Sequence, residues 1–421
     1  MLRNFGLSAA FLSVTTLFFA WGFVTSNNDP LIASLKASFD LSWTQALMTQ
    51  LVSFAAYGVM ALPAASLLGR VGPVRAIIAA LTLMVVGAAM VSAVTQFHSY
   101  ELILAALFVL GVGITILQVA ANPLAAALGP PEKSHFRLTF AQGFNSLGVV
   151  LGVNFGSKIM LGDDVMRVHH SPITDPLQRT AALGAVGDAF VILAVMMAAL
   201  LLFIWWSRRT IAAAAHEVVD AQGDAALAAL RSKWALWGAV TIGLYVGAEV
   251  SIGSIMINFL SQPHVLDISL EMAGFYLANI YWMGALIGRF VGSYLLTRIA
   301  APKLLLAAAA VATGLCATVA LSEGAVAAYA ALGVGLFNSI MFPTIFTITL
   351  ERSGVSQSST SGLLCLAIVG GAALPYAVGK FADNASLTLA FIVPMAAYAM
   401  IALFAAMAAR IRPLPTIKAI A

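Results

Sequence analysis

The sequence predicts an all-α integral membrane protein with twelve spanning helices in two related six-helix bundles. Three observations carry that prediction. Of the 421 residues, 61% are hydrophobic and only 9% are charged, against roughly 25% charged in a soluble domain. The apolar residues gather in long, uncharged runs rich in Ala, Leu, Ile and Val, the pattern of spanning helices and not the alternation of an outer-membrane barrel. The two halves also repeat each other. Gly111-Val112-Gly113 precedes Pro123 in the first, and Gly333-Val334-Gly335 precedes Pro343 in the second.

Apolar windows of ~20 residues, bounded by charge, Pro and Gly clusters, place the first six spans at 8–36, 43–69, 74–96, 100–128, 136–160 and 184–207. The second six fall at 232–260, 270–297, 302–321, 325–350, 359–382 and 387–410. The first run follows Arg3 as a signal peptide would, but it has no small-residue cleavage site and runs on into Asn27-Asn28-Asp29, so it is read as a retained span. An even number of spans puts both termini on one side. With the N-terminus inside, the cytoplasmic segments hold 15 of the 21 Lys and Arg residues. That bias predicts both termini cytoplasmic, in a bacterial-type inner membrane.

The connecting segments carry little chemistry. Residues 1–207 form the first expected bundle and 232–421 the second. Segment 208–231 is read as a solvated cytoplasmic linker. The polar stretch 162–180 contains His169 and His170, but no further ligand has matching spacing, so a loop is expected and no metal or cofactor. Cys316 and Cys365 lie inside apolar runs, which suits small buried residues and not a disulfide framework. The net charge of +4 resides in short loops that set topology, so no nucleic-acid partner is implied. The partners expected are the lipid bilayer and a small solute, with the chain acting as a monomer. No Gly-x-Ser-x-Gly, His-Glu-x-x-His or phosphate-loop motif is present, which argues against an enzyme.

The repeat itself points to function. Gly/Pro-interrupted helices and short basic loops recur at corresponding places, Gly69-Arg70-Val71-Gly72-Pro73 in one half and Thr297-Arg298 with Pro302-Lys303 in the other. This is the pattern of a transporter that binds its solute near mid-membrane. Gln118 and Asn122 share one helix face, as do Gln142 and Asn145 on the next span. Amides in apolar helices serve either as glue between helices or as the lining of a polar cavity, and both readings stand for each pair and for Asn279. Asp29, in Thr25-Ser26-Asn27-Asn28-Asp29-Pro30, is a candidate carboxyl for taking up a cation, or else a residue at the outer end of its span. Glu249 is a second candidate, or the partner of Arg289 in a structural ion pair. Arg289 and Arg70 are candidates for bracing a gate. The aromatics Trp21, Tyr281, Trp282 and Phe342 are packing residues or a platform. A sugar ring needs such a platform under its C–H face and two-way hydrogen-bonding groups at its rim, which amides supply.

Taken together, Phe19-Ala20-Trp21-Gly22, Asn28-Asp29, Gln118-Val119-Ala120-Ala121-Asn122-Pro123, His135-Phe136-Arg137-Leu138, Ala141-Gln142-Gly143-Phe144-Asn145-Ser146 and Gly288-Arg289-Phe290 resemble the fucose/glucose/galactose–cation symporter family of the major facilitator superfamily. The resemblance covers essentially the whole chain. It implies sugar contacts from Asn122, Gln142 and Asn145 and cation coupling through Asp29; Gln118 and Trp282 join that site on the ring chemistry above, and Asn279, Asn28 and Trp21 are assigned to it as further candidates. The fucose branch carries a glutamate where this chain has Gln118, and there it serves coupling and sugar binding with the aspartate that matches Asp29, so that two-carboxylate scheme does not transfer as it stands. Gln118, Tyr245 to Glu249 and Tyr281-Trp282 look more like the glucose/galactose and N-acetylglucosamine branch, in which Glu249 supplies a second carboxyl or sodium replaces the proton. The expectation is proton-coupled uptake of a neutral hexose by alternating access. The alternatives are sodium coupling, N-acetylglucosamine or fucose as substrate and, more distantly, a multidrug-type exporter.

Overall fold

The structure, a computed structural model, describes residues 8–41, 45, 48–161, 175–216 and 227–411. Helices account for nearly all of these residues, and no strand occurs among them. In chain order they are α1 (Ala9–Phe39), α2 (Met48–Val71), α3 (Pro73–Val94), α4 (Tyr100–Ala127), α5 (Ser134–Gly156), α6 (Pro176–His216), α7 (Lys233–Leu260), α8 (270–295), α9 (Ala301–Leu321), α10 (Gly324–Arg352), α11 (Gln357–Ala382) and α12 (Leu387–Arg410). Each expected span has its helix.

Ten of the described helices are long and apolar enough to cross a membrane. The two that fall short are α5 and α8, and the reasons are chemical. The former carries His135, Arg137, Gln142 and Asn145 along its length. The latter is interrupted by a π-helical turn at Leu277–Trp282, and such turns are frequent at functional sites.

Local chemistry explains the boundaries. Ser8, Ser232, Ser269, Ser356 and Ser386 each accept a backbone N–H in the first turn of the helix that follows. Gly72 turns the chain between α2 and α3 at φ 78°, and Pro73 opens α3 with the φ that a first turn needs. Prolines also break helices from within, because each lacks the N–H that would bond the carbonyl four residues back. Helix α1 is offset at Ser26-Asn27, just before Pro30. There Asn27 donates to the Phe23 carbonyl at 2.6 Å. Helix α10 is offset at Ser339-Ile340, just before Pro343.

Two structural findings alter the expected boundaries. The expected span 184–207 is a helix of 41 residues, Pro176–His216, or ~60 Å long at 1.5 Å per residue. Arg208 and Arg209 therefore lie within α6, and the expected linker begins as helix. Its middle, 217–226, lies outside the described residues, and Ala228–Arg231 is a 3-10 turn. The loop holding His169 and His170 also lies outside them. Cys316 and Cys365 are both buried, with no disulfide between them.

The chain forms two compact units. One comprises Ser8–Leu124 and Phe144–Ala221, and within it α6 packs along α3 and α1. Its core includes Phe11, Leu17, Phe18 and Leu31, all fully buried. The other comprises Ala125–Gly143 together with the chain from Gln222 onward, and there α9 packs on α10 and α12 while α7 packs on α11 and α12.

Candidate substrate and coupling site

In the first unit, polar side chains are held where helices approach closely. A Cβ on Gly22 would lie 2.7 Å from Asn145 Nδ2, and one on Gly148 would lie 2.9 Å from the backbone N of Phe23. Glycine at these places lets α1 and α5 touch backbone to backbone. Asn145 then donates to the Phe18 carbonyl at 3.2 Å. The Phe18 and Trp21 rings lie 5.5 Å apart at 42°. Asn145 and Trp21 thus stand on one helix contact, as the sugar-site reading requires and as helix glue would also require. Asn28 is half-buried at the start of the second stretch of α1, to which Asp29 also belongs. The Asp29 side chain lies outside the described residues.

Helix α4 continues through Pro123, so Gln118 and Asn122 share one face, both buried. Gln118 donates its amide N–H to the hydroxyl of Tyr57 on α2. Arg70 is exposed in the last turn of α2.

The second unit repeats part of this arrangement. Asn338 stands five residues before Pro343, as Gln118 does before Pro123. Asn338 donates to the hydroxyls of Tyr281 on α8 at 3.0 Å and of Tyr398 on α12 at 3.3 Å. The Tyr281 ring meets Trp282 edge-on at 5.0 Å between centroids. Trp282 is half-buried beside Gly253 of α7, where a Cβ would lie 3.4 Å from the indole. Asn279 is exposed and donates to the Phe275 carbonyl of its own helix at 3.0 Å. It makes no described contact with the other predicted residues.

Glu249 and Arg289 do meet. Tyr245 donates to Glu249 Oε1 at 2.7 Å, and Arg289 Nη2 lies 3.9 Å from the same oxygen. Arg289 also donates from Nε to the Ser339 carbonyl at 3.3 Å and from Nη1 to the Gln142 carbonyl at 3.2 Å. The Ser339 carbonyl is the one that Pro343 deprives of its helical partner, and a guanidinium replaces that partner. Gln142 itself is buried.

Two polar clusters were not predicted from the residues alone. Arg137, fully buried, donates to the carbonyls of Ala125 at 3.3 Å, of Pro130 at 2.8 Å and of Gly129 at 3.3 Å, and also to that of Ala126. It closes the C-terminal end of α4, where unpaired carbonyls and the negative end of the helix dipole favour a cation. At the start of α5, His135 Nε2 lies 3.2 Å from Glu351 Oε1, and Ser134 donates to that oxygen at 2.9 Å. The sequence signals were a run of polar residues directly after Pro130-Pro131 and the motif His135-Phe136-Arg137-Leu138, neither of which names the partners.

The comparisons with known proteins agree with this architecture. The family model for the Major Facilitator Superfamily matches residues 7–368. A glucose/galactose transporter of Brucella abortus is 40% identical over 412 residues, covering 96% of this chain and 94% of that protein. The L-fucose-proton symporter of Escherichia coli is 29% identical over 408 residues, covering 94% and 92%. The crystal structure of the Escherichia coli fucose:proton symporter superposes with a TM-score of 0.81 at 26% identity, covering 94% of this chain and 98% of that one. These relatives are transporters and not enzymes. This multi-pass membrane chain belongs to the major facilitator superfamily.

Proposed function

We propose that the protein carries a neutral hexose, glucose or galactose, into the cell together with a cation, by alternating access. The observation that carries this reading is the 40% identity to a glucose/galactose transporter along nearly the whole of both chains. Buried, uncharged Gln118, Asn122, Gln142 and Asn145 support it. These groups both donate and accept, as a ring of hydroxyls demands, and they suit neither a phosphate nor a drug cation. In this reading the four amides bind hydroxyls, and Trp282 supplies the stacking face. Asn28, Trp21 and Asn279 complete the contacts, and Arg70 braces the gate.

Asp29 is assigned the coupling ion, with Glu249 as the second carboxyl. A proton is favoured because the fucose relative is named as a proton symporter. Sodium remains the alternative ion, and N-acetylglucosamine or fucose the alternative substrates. One cation entering across ~100 mV supplies ~2.3 kcal/mol, enough for roughly 50-fold accumulation. The protein is placed in the inner membrane as a monomer, with both termini in the cytoplasm.

The test is counterflow of labelled glucose, galactose, fucose and N-acetylglucosamine in proteoliposomes, followed by uptake driven by an imposed proton or sodium gradient. The reading expects glucose or galactose exchange, and accumulation under a proton gradient alone. Asp29→Asn should keep exchange and lose accumulation. An absence of exchange for all four sugars refutes the sugar reading. Accumulation that requires sodium without a proton gradient refutes proton coupling.

A further inference from the structure

Helix α8 grips the middle of α5 through consecutive residues. Arg289 donates to the Gln142 carbonyl at 3.2 Å. The next residue, Phe290, packs edge-on against Phe140 with centroids 5.8 Å apart. A Cβ on Gly143 would lie 2.9 Å from the Phe290 ring, so the ring rests on the bare backbone beside Gln142. The other terminal nitrogen of Arg289, Nη2, lies 3.9 Å from Glu249 Oε1, and Glu249 also accepts from Tyr245 at 2.7 Å. Nε is anchored at the Ser339 carbonyl. One nearly buried cation therefore touches a carboxylate on α7, the broken turn of α10 and the backbone of a predicted sugar-binding residue on α5.

We infer that Arg289 is a positioning residue that links the charge on Glu249 to the placement of α5 at Gln142. The inference rests on the sugar-binding role proposed for Gln142. With Glu249 ionised, the guanidinium is held between an anion and two carbonyl oxygens. When Glu249 is neutral, the Coulombic pull toward α7 is lost, while the carbonyls of Ser339 and Gln142 still hold the cation. The planar fork suits this division, because Nη1 and Nη2 point at different partners and cannot move independently. A lysine would keep the charge but contact only one side at a time.

Nothing in the repeat requires an arginine here. Counting eight residues on from the tyrosines that receive Gln118 and Asn338, Arg289 corresponds to Ala65 in the first half. The Arg289 arrangement is therefore an addition to the repeated framework and not a part of it.

The test is a double-mutant cycle in purified protein, using Glu249→Gln, Arg289→Lys and the double variant. It has two readouts: galactose affinity, and backbone hydrogen exchange of the peptide spanning residues 138–146 without sugar. Glu249→Gln alone should change galactose Kd by about fivefold or more and alter exchange in that peptide. In the Arg289→Lys background the same change should move Kd by less than about twofold and leave exchange unaltered, a non-additivity expected only of coupled sites. Equal effects of Glu249→Gln in both backgrounds overturn the inference. So does unchanged hydrogen exchange in Glu249→Gln. The exchange readout needs no ligand, so failure of galactose to bind wild-type protein counts against the sugar reading alone. If Arg289→Lys does not yield folded protein, Arg289→Gln is used with the same two readouts.

Discussion

Gln118 and Asn338 hold equivalent places in the two halves: each stands five residues before a proline, and each gives its amide N–H to a tyrosine hydroxyl. The receiving tyrosines, Tyr57 and Tyr281, lie on the second helix of their respective halves. The surroundings differ. Asn338, Tyr281 and Tyr398 are all fully buried, and Asn338 has a second hydroxyl acceptor in Tyr398. Tyr57 is 8% exposed, and Asn122, one turn beyond Gln118, stands where the other half has Phe342. One half uses the motif to lock a core, while the other retains two amides on the same face.

Tyr281→Phe should therefore act on stability. It removes the nearer acceptor of a buried amide in an apolar setting, a loss of ~1–3 kcal/mol. The thermal midpoint should fall by several degrees, while KM for the transported sugar in the surviving folded protein stays within about twofold of wild type. A melting curve and initial-rate uptake on the same preparation check this. An unchanged midpoint would mean that the Tyr398 contact alone satisfies Asn338.

The twelve helices and their order were legible because a hydrocarbon environment leaves few alternatives to long apolar helices. The pairing of Glu249 with Arg289 was legible as one of two readings, since a charge in an apolar helix needs a partner. The destination of the other Arg289 contacts was not. Hydrogen bonds to the Ser339 and Gln142 carbonyls involve main-chain atoms, which every residue possesses and no side-chain pattern announces. Pro343 was visible in the sequence, and the carbonyl it frees follows from backbone geometry. Which cation would reach that carbonyl depended on how α8 crosses α10. Tyr57 escaped notice because a single tyrosine in an apolar span resembles an ordinary packing residue until its partner is known.

Arg137 illustrates the same limit, and its substitution should be severe. Four carbonyls at the end of α4 and the turn after it converge on one buried guanidinium. Arg137→Met keeps the stem and removes every donor, leaving those acceptors unpaired at ~3–5 kcal/mol. Arg137→Lys supplies one compact charge in place of a five-donor fork and should recover only part of the loss. Size-exclusion profiles recorded along a temperature ramp should rank wild type above Lys and Lys above Met. A Met variant within about 1 °C of wild type would show that water satisfies those carbonyls equally well.

Tyr57→Phe should instead act on the solute. The hydroxyl fixes which way the Gln118 amide points by accepting its N–H, so the Gln118 carbonyl is turned away from Tyr57. Without the hydroxyl, the amide can rotate and present either its N–H or its carbonyl to a sugar. Preorganisation for one arrangement of hydroxyls is then lost. The loss of one neutral hydrogen bond is worth ~1 kcal/mol, or about fivefold in affinity. KM for the preferred hexose should rise by about that factor while the thermal midpoint moves little, because the phenyl ring still fills its place on α2. The effect on selectivity should be stronger than the effect on affinity. Glucose and galactose differ only in the direction of one hydroxyl, and a freely turning amide accommodates both. The ratio of their KM values should therefore move toward one in Tyr57→Phe. Competition of each sugar against labelled galactose in the same vesicles measures that ratio. If it is preserved while both KM values rise together, Tyr57 supports packing and does not orient Gln118.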